Sequence, residues 1–440
     1  MDASDPAVPS APAEAHEGPA LAKRRWPRIA RLLAILGPGF VAGAVSNDAG
    51  SIATYSQAGA TYGYDLLWAI LLMTVALMVV QEMSGRLGAA TGRGLLQLIR
   101  ERFGPGPAGL AMLVVSVANL GLVATEFVGI GAAVELFGIS RYLVIPLAAL
   151  VAWYLIVAGS YNQVEKVLAL TAAVFLAYPV AALLVHPDLG DVARGMLVPT
   201  VRLQPAYIAL FVGLIGTTIS PYQQVYQQSA VAEKGITPED YASERLDTYI
   251  GMIFSVIISA FIVVATAATL HLSGQTDIQS AADAARALQP LAGPAAGALF
   301  GVGLLGASLM AAAVLPITTS FAVTEALGLP KGVGLDPRRA PAFFGLVTAA
   351  LVLGAALAMI PGIPVIQFLI WVQVLNGILL PVILAFMLLL ANDPRLMGGL
   401  KNSRPQNLLG WTTCALISLA VIFLLGQQAY SLLAAGWPPH

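Results

Sequence analysis

Charge is scarce in this 440-residue sequence: only 10% of its residues are Asp, Glu, Lys or Arg, against about 25% in an average soluble domain. A water-soluble particle of this size could not cover its surface with so few charges. That excludes a soluble multi-domain enzyme and makes lipid the expected solvent. A single cysteine, Cys414, excludes an intramolecular disulfide, and its apolar surroundings suit a packing residue better than a reactive thiol. The four histidines, His16, His186, His271 and His440, fall in tails or at the ends of apolar runs. No histidine-built metal or proton site is therefore expected at membrane depth. Lys and Arg are missing from the core of every long apolar run. No catalytic constellation presents itself, so no enzyme is expected.

What is present is apolar length. Hydrophobic residues make up 58% of the chain. Runs able to cross a bilayer, which takes about 20 residues, lie at 33–57, 65–85, 108–137, 142–159, 164–186, 206–231, 249–271, 294–327, 341–361, 364–391 and 408–433. The sequence thus predicts an all-α polytopic membrane protein of eleven spans. Residues 1–30, rich in Ala and Pro, read as a disordered cytoplasmic tail, not a cleaved signal, with the basic flank Lys23, Arg24, Arg25, Arg28 and Arg31. Residues 31–391 read as a ten-helix core, and 392–440 as a loop and the eleventh helix. With the N-terminus in the cytoplasm, only Arg141, Arg194, Arg202 and Arg286 of the 22 Lys and Arg face outward. That bias fits a multi-pass protein of the inner membrane with its C-terminus outside.

Two spans are interrupted. The first holds Gly37-Pro38-Gly39 and then the polar run Ser46-Asn47-Asp48-Ala49-Gly50-Ser51. The sixth holds Gly213 and Gly216, then Thr217-Thr218-Ile219-Ser220-Pro221-Tyr222. Unwound backbone is tolerable inside a bilayer only where protein or a cavity surrounds it. Interruptions at matching positions of two halves point to a transporter's binding site. Spans 1 and 6 would match in a five-plus-five inverted repeat, about 31–190 and 203–391. Ordinary Gly/Pro kinks are the competing reading.

Asp48 is the sharpest candidate. A carboxylate near mid-membrane costs about 2.5–3.5 kcal/mol or more, so it needs a cavity or a partner. With no protein cation in reach, a transported cation could serve. Ser51 follows Asp48 by three residues, and Thr217 and Ser220 share that spacing in span 6. Their hydroxyls, with the freed carbonyls, are hard oxygen donors suited to Mg²⁺, Ca²⁺ or Mn²⁺. Helix packing is the simpler role for each hydroxyl taken singly. Glu126 in span 3 is either a proton or ion relay or a protonated packing acid. Gln373 and Asn376 share a helix face in span 10, where an interhelical amide bond is the alternative. Glu82, Glu135 and Glu325 lie near span ends, where solvated roles are expected. Asp65 and the run Glu233 to Asp247 read as loops.

The segments Gly37-Pro38-Gly39-Phe40-Val41-Ala42-Gly43, Asp48-Ala49-Gly50-Ser51-Ile52-Ala53-Thr54 and Tyr62-Gly63-Tyr64-Asp65 resemble the first-span signature of the Nramp family of divalent-metal transporters. The likeness continues through Thr125-Glu126, Pro221 with Ser229-Ala230, and Asn376-Gly377-Ile378-Leu379-Leu380-Pro381. It implies a LeuT-like fold, alternating access and a metal site between the broken spans. Carried over, the resemblance implies Asp48, Ser51, Thr217, Ser220 and Gln373 around the metal, with Asn47, Glu126, Tyr222 and Asn376 behind them. The departures are specific. The family's Asp-Pro-Gly-Asn is Asp48-Ala49-Gly50-Ser51 here, and its Ala-x-x-Met-Pro-His is Thr217-Thr218-Ile219-Ser220-Pro221-Tyr222. Its second span-3 acid is Gly129, and its span-9 arginine aligns with Phe343.

Losing the thioether removes the preference for softer metals. The pattern resembles the Nramp-related magnesium transporters, which implies Mg²⁺ import, with Mn²⁺ also carried, and no proton coupling. The alternatives are a proton-coupled Mn²⁺/Fe²⁺ symporter and a sodium-coupled carrier of an organic solute. The expected partners are the metal ion, as cargo and not as cofactor, and the lipid bilayer. No nucleic acid and no obligate protein partner are expected.

Overall fold

The computed structural model describes residues 38–158 and 177–435. The tail expected at 1–30 and the first part of the fifth span lie outside the described residues. Among the described residues every regular element is a helix. The broken first span is α1 (Pro38–Val45) and α2 (Ala49–Tyr62), followed by α3 (Leu67–Thr91), the short α4 (Leu95–Phe103) and α5 (Pro105–Glu135). Next come α6 (Arg141–Ala158), α7 (Ala177–Leu184) and α8 (Leu189–Leu197), then the broken sixth span, α9 (Pro205–Thr218) and α10 (Pro221–Glu233). The chain finishes with α11 (Tyr241–Thr266), α12 (Ala296–Leu327), α13 (Pro341–Ala358), α14 (Val365–Ala391) and α15 (Arg404–Ala435).

Among the described residues eight helical stretches, the broken sixth span counted as one, are long and apolar enough to cross a membrane. Three of the eleven expected spans are not among them, each for a visible reason. The first is split into pieces of 8 and 14 residues. The fourth, Arg141–Ala158, is an apolar helix at the edge of the described residues. The fifth is described only from Ala177. Leu189–Leu197 adds an exposed helix that the hydropathy pattern did not suggest, with Leu189 75% and Leu197 74% exposed.

The two interruptions have local causes. Asp48 sits in extended backbone (φ −69°, ψ 178°), and its carboxylate caps α2 by accepting the Ser51 N–H. In span 6, Pro221 opens α10 where no donor is needed and forces Ser220 out of the helical region, to φ −75°, ψ 142°. The helices around the breaks pack closely. A Cβ on Gly216 of α9 would lie 2.0 Å from the Gln373 carbonyl and 2.4 Å from the Gly377 nitrogen, so α9 and α14 touch backbone to backbone. α15 packs on α14, α9 and α3 and leaves large apolar side chains such as Leu419 and Ile422 exposed, as a lipid-facing helix should.

Two acids expected to be solvated are buried and paired. Glu82 is 4% exposed and holds Arg86 through two hydrogen bonds, 3.0 and 3.2 Å. Tyr241 donates to Glu82 at 2.6 Å, and Arg86 reaches Asn402 Oδ1 at 2.6 Å and the Leu400 carbonyl. Glu325, 2% exposed, accepts from Lys331 and from Ser229, each at 2.7 Å, and from the Leu96 N–H. The seventh span begins earlier than expected, at Tyr241. Glu244 and Asp247, read as loop charges, are therefore buried helix residues.

Candidate functional site

The two breaks meet. Ser51, in the first turn of α2, has its hydroxyl 2.6 Å from the Ser46 carbonyl, 2.7 Å from Asp48 Oδ1, and against Thr217 Oγ1 from the last turn of α9. With Asp48 ionised, two hydroxyl protons serve three close oxygen pairs, and one pair has none between its atoms. Such a cluster is rich in lone pairs and short of positive charge. Asp48 Oδ1 also accepts the Ser51 N–H at 2.7 Å and Gln373 Nε2 of α14 at 3.3 Å. Asp48, Ser51, Thr217 and Gln373 are all at most 2% exposed. Gly50 makes the Gln373 approach possible, since a Cβ there would stand 2.2 Å from Nε2. Tyr55 and Thr218 join the two breaks a second time, hydroxyl to hydroxyl at 2.8 Å.

Glu126 of α5 enters from the other side. Its Oε2 accepts the Ala49 N–H at 3.4 Å and its Oε1 accepts the Thr125 hydroxyl at 3.2 Å. Two carboxylates thus sit on the first amides of α2, where a helix N-terminus favours negative charge. Among the described residues no group of three or more His, Cys, Asp or Glu could hold a metal ion. A cation here would rely on one or two carboxylates and on neutral oxygens.

Other expected residues are placed differently. The Ser220 hydroxyl turns back onto the Gly216 carbonyl of its own span. Asn47 faces α11, donating to Ser255 at 3.2 Å and accepting from Ser259 at 3.4 Å; it anchors the break and does not back the oxygen cluster. Asn376 donates to Val372 of its own helix, and its Oδ1 has no partner among the described residues. The Tyr222 hydroxyl and Gln373 Oε1 likewise have none. Buried polar atoms without partners are rare and commonly mark sites for water or an ion.

A family model, "Natural resistance-associated macrophage protein-like" (Nramp), matches residues 39–427. The chain belongs to the Nramp family. It is 32% identical over 419 residues to a protein of Ralstonia nicotianae named divalent metal cation transporter MntH, covering 90% of this chain and 91% of that one. The manganese transporter of Eremococcus coleocola has the same fold, at 19% identity and TM-score 0.71, over 94% of this chain and 90% of that one. MhsT, solved with L-phenylalanine, matches at 14% identity and TM-score 0.59, over 88% of this chain and 97% of that one. The fold is therefore LeuT-like, with broken spans 1 and 6.

Within the Nramp pattern, two departures have structural counterparts. A Cβ at Gly129 would lie 2.5 Å from the Ala49 Cβ and 2.6 Å from Ser308 Oγ, so no acid fits where the family carries its second one. Phe343, at the arginine's place, is fully buried and packs edge-on against Phe321 and Phe344. Apolar contacts fill that position. Sequence reasoning missed the Ser46 carbonyl, Tyr55 and Thr218. The polar runs at the two interruptions were the available signal for Ser46 and Thr218, and nothing in the pattern singled out Tyr55.

Proposed function

We propose that this protein carries divalent metal cations across the cell membrane by alternating access, with Mn²⁺ as principal cargo. One observation carries the reading: a buried carboxylate, Asp48, at the meeting of two broken helices, amid hydroxyl and carbonyl oxygens with too few protons. A divalent ion supplies the missing charge. A half-turn of the Gln373 amide would bring its unpartnered Oε1 into the same cluster. The curated relatives are named for divalent metal cations in general, and the Eremococcus coleocola manganese transporter, which shares the fold, supports Mn²⁺ ahead of the Mg²⁺ expected from the residues alone. Glu126 on the Ala49 amide gives a cycle in which a proton accompanies the metal a second acid beside the site, and supports it over an uncoupled one. The charge bias supports a cytoplasmic N-terminus and an external C-terminus in the inner membrane. The membrane potential would add about 4.6 kcal/mol per 100 mV for a divalent ion moving inward.

Mg²⁺ remains the second reading, favoured by the hydroxyl at Ser220 where the family has sulfur, because oxygen ligands do not discriminate against hard ions. Proteoliposomes decide between the two. Mn²⁺ uptake that withstands excess Mg²⁺ and acidifies the lumen supports the first reading. Mn²⁺ uptake abolished by Mg²⁺ with no pH change supports the second, and no uptake of either ion sinks both.

A further inference from the structure

The first turn of α10 carries a group that the cargo site does not use. Gln223 is 0% exposed, and neither its Nε2 nor its Oε1 makes a well-formed hydrogen bond among the described residues, the Tyr222 hydroxyl beside it included. Burying an amide with both ends unpaired is costly, and a leucine there would avoid the cost. The next residue on the same face shows the contrast. Gln227 uses both ends: its Oε1 accepts from Gln81 at 3.1 Å, while its Nε2 donates to Thr248 at 2.7 Å and Glu244 at 3.2 Å. Ser220, Gln223 and Gln227 are spaced by three and four residues, so they line one face of α10. That face descends from the broken segment towards the buried Glu244 carboxylate. Gln81 of α3 spans the first step, donating to the Gln223 carbonyl at 3.2 Å.

We propose that Gln223 is the first stop for the dication after it leaves the Asp48 cluster. It would offer an amide oxygen when the helices around α10 part, with Gln227 and Glu244 next along the same face. Its unpaired state belongs to the closed arrangement, and opening lets water and the ion reach it. Gln223 is thus a positioning residue for passage, separate from the equilibrium metal site. This inference rests on the metal-carrier reading.

The test uses the full-length protein with Mn²⁺ as the probe, comparing wild type, Gln223→Leu, Gln223→Asn and Asp48→Ala. Gln223→Leu is expected to slow initial Mn²⁺ uptake into proteoliposomes at least about tenfold while calorimetric Mn²⁺ affinity stays within about threefold. Its thermal midpoint should hold or rise, since two unpaired buried atoms are gone. Gln223→Asn, which keeps an amide oxygen, should retain most of the flux. Wild-type flux in Gln223→Leu would overturn the proposal, as would a joint fall of flux and affinity, or a lowered midpoint. Wild type that bound no Mn²⁺ would instead remove the metal-carrier reading beneath it. An Asp48→Ala variant that bound Mn²⁺ normally would move the cargo site elsewhere and take the Gln223 route with it.

Discussion

At the scale of single residues, the site depends on how few charges it has. Asp48 accepts three hydrogen bonds on one oxygen, two from Ser51 and one from Gln373. Asp48→Ala is expected to weaken Mn²⁺ binding by more than about a hundredfold, beyond what the loss of a supporting group does. The folded protein should survive, because a costly buried carboxylate leaves with the metal site. Calorimetry beside a thermal melt would read both effects. Ser220 offers a second test. Its hydroxyl is turned onto Gly216, so Ser220→Met would exchange a local hydrogen bond for a thioether beside the break. A shift of uptake selectivity towards Cd²⁺ is the expected outcome, and unchanged Cd²⁺/Mn²⁺ competition would show that the position does not face the ion.

At the scale of elements, the breaks depend on helices that touch without side chains between them. Gly216→Ala would drive a methyl into the Gln373 carbonyl and the Gly377 nitrogen. Overpacking of this kind typically costs about 1–3 kcal/mol. Because the strain falls on the residue that donates to Asp48, metal affinity should drop with the thermal midpoint; a melt shift without an affinity change would uncouple the two. The breaks themselves were legible in the sequence, since a polar run inside a 20-residue apolar stretch has few other meanings. The orientation of the polar residues around them was not. Asn47 adjoins Asp48 in sequence, yet it bonds Ser255 and Ser259, more than 200 residues away, and no local pattern reports such a partner.

At the scale of the whole molecule, most spans and the broken-helix plan could be read from apolar runs, because lipid forces each crossing to be long and continuous. Buried charge was harder. Glu325 and Glu244 sit within a turn of a helix end, and Glu82 near the end of its apolar run, where hydropathy cannot tell a solvated acid from a sealed one. The partners that seal Glu82, Tyr241 and Gln406, lie 159 and 324 positions along the chain. Glu126 stood out by its depth in an apolar run, and its place on the Ala49 amide came only with the structure.

The grip on Arg86 has a consequence for the end of the chain. Leu400 and Asn402 belong to the link that leads into α15, and Asn407, at the foot of that helix, exchanges amide bonds of 2.7 and 2.6 Å with Asn392. A carrier cut short after residue 399 would therefore shed more than a lipid-facing helix. It would strip a sealed guanidinium of two neutral acceptors while the Glu82 pair stays, a loss of about 3 kcal/mol or more at about 1.5–3 kcal/mol for each hydrogen bond to a charged group. Truncated protein is expected to melt well below the intact chain even in detergent. Restoring only 400–407, without the rest of the span, should recover much of the difference.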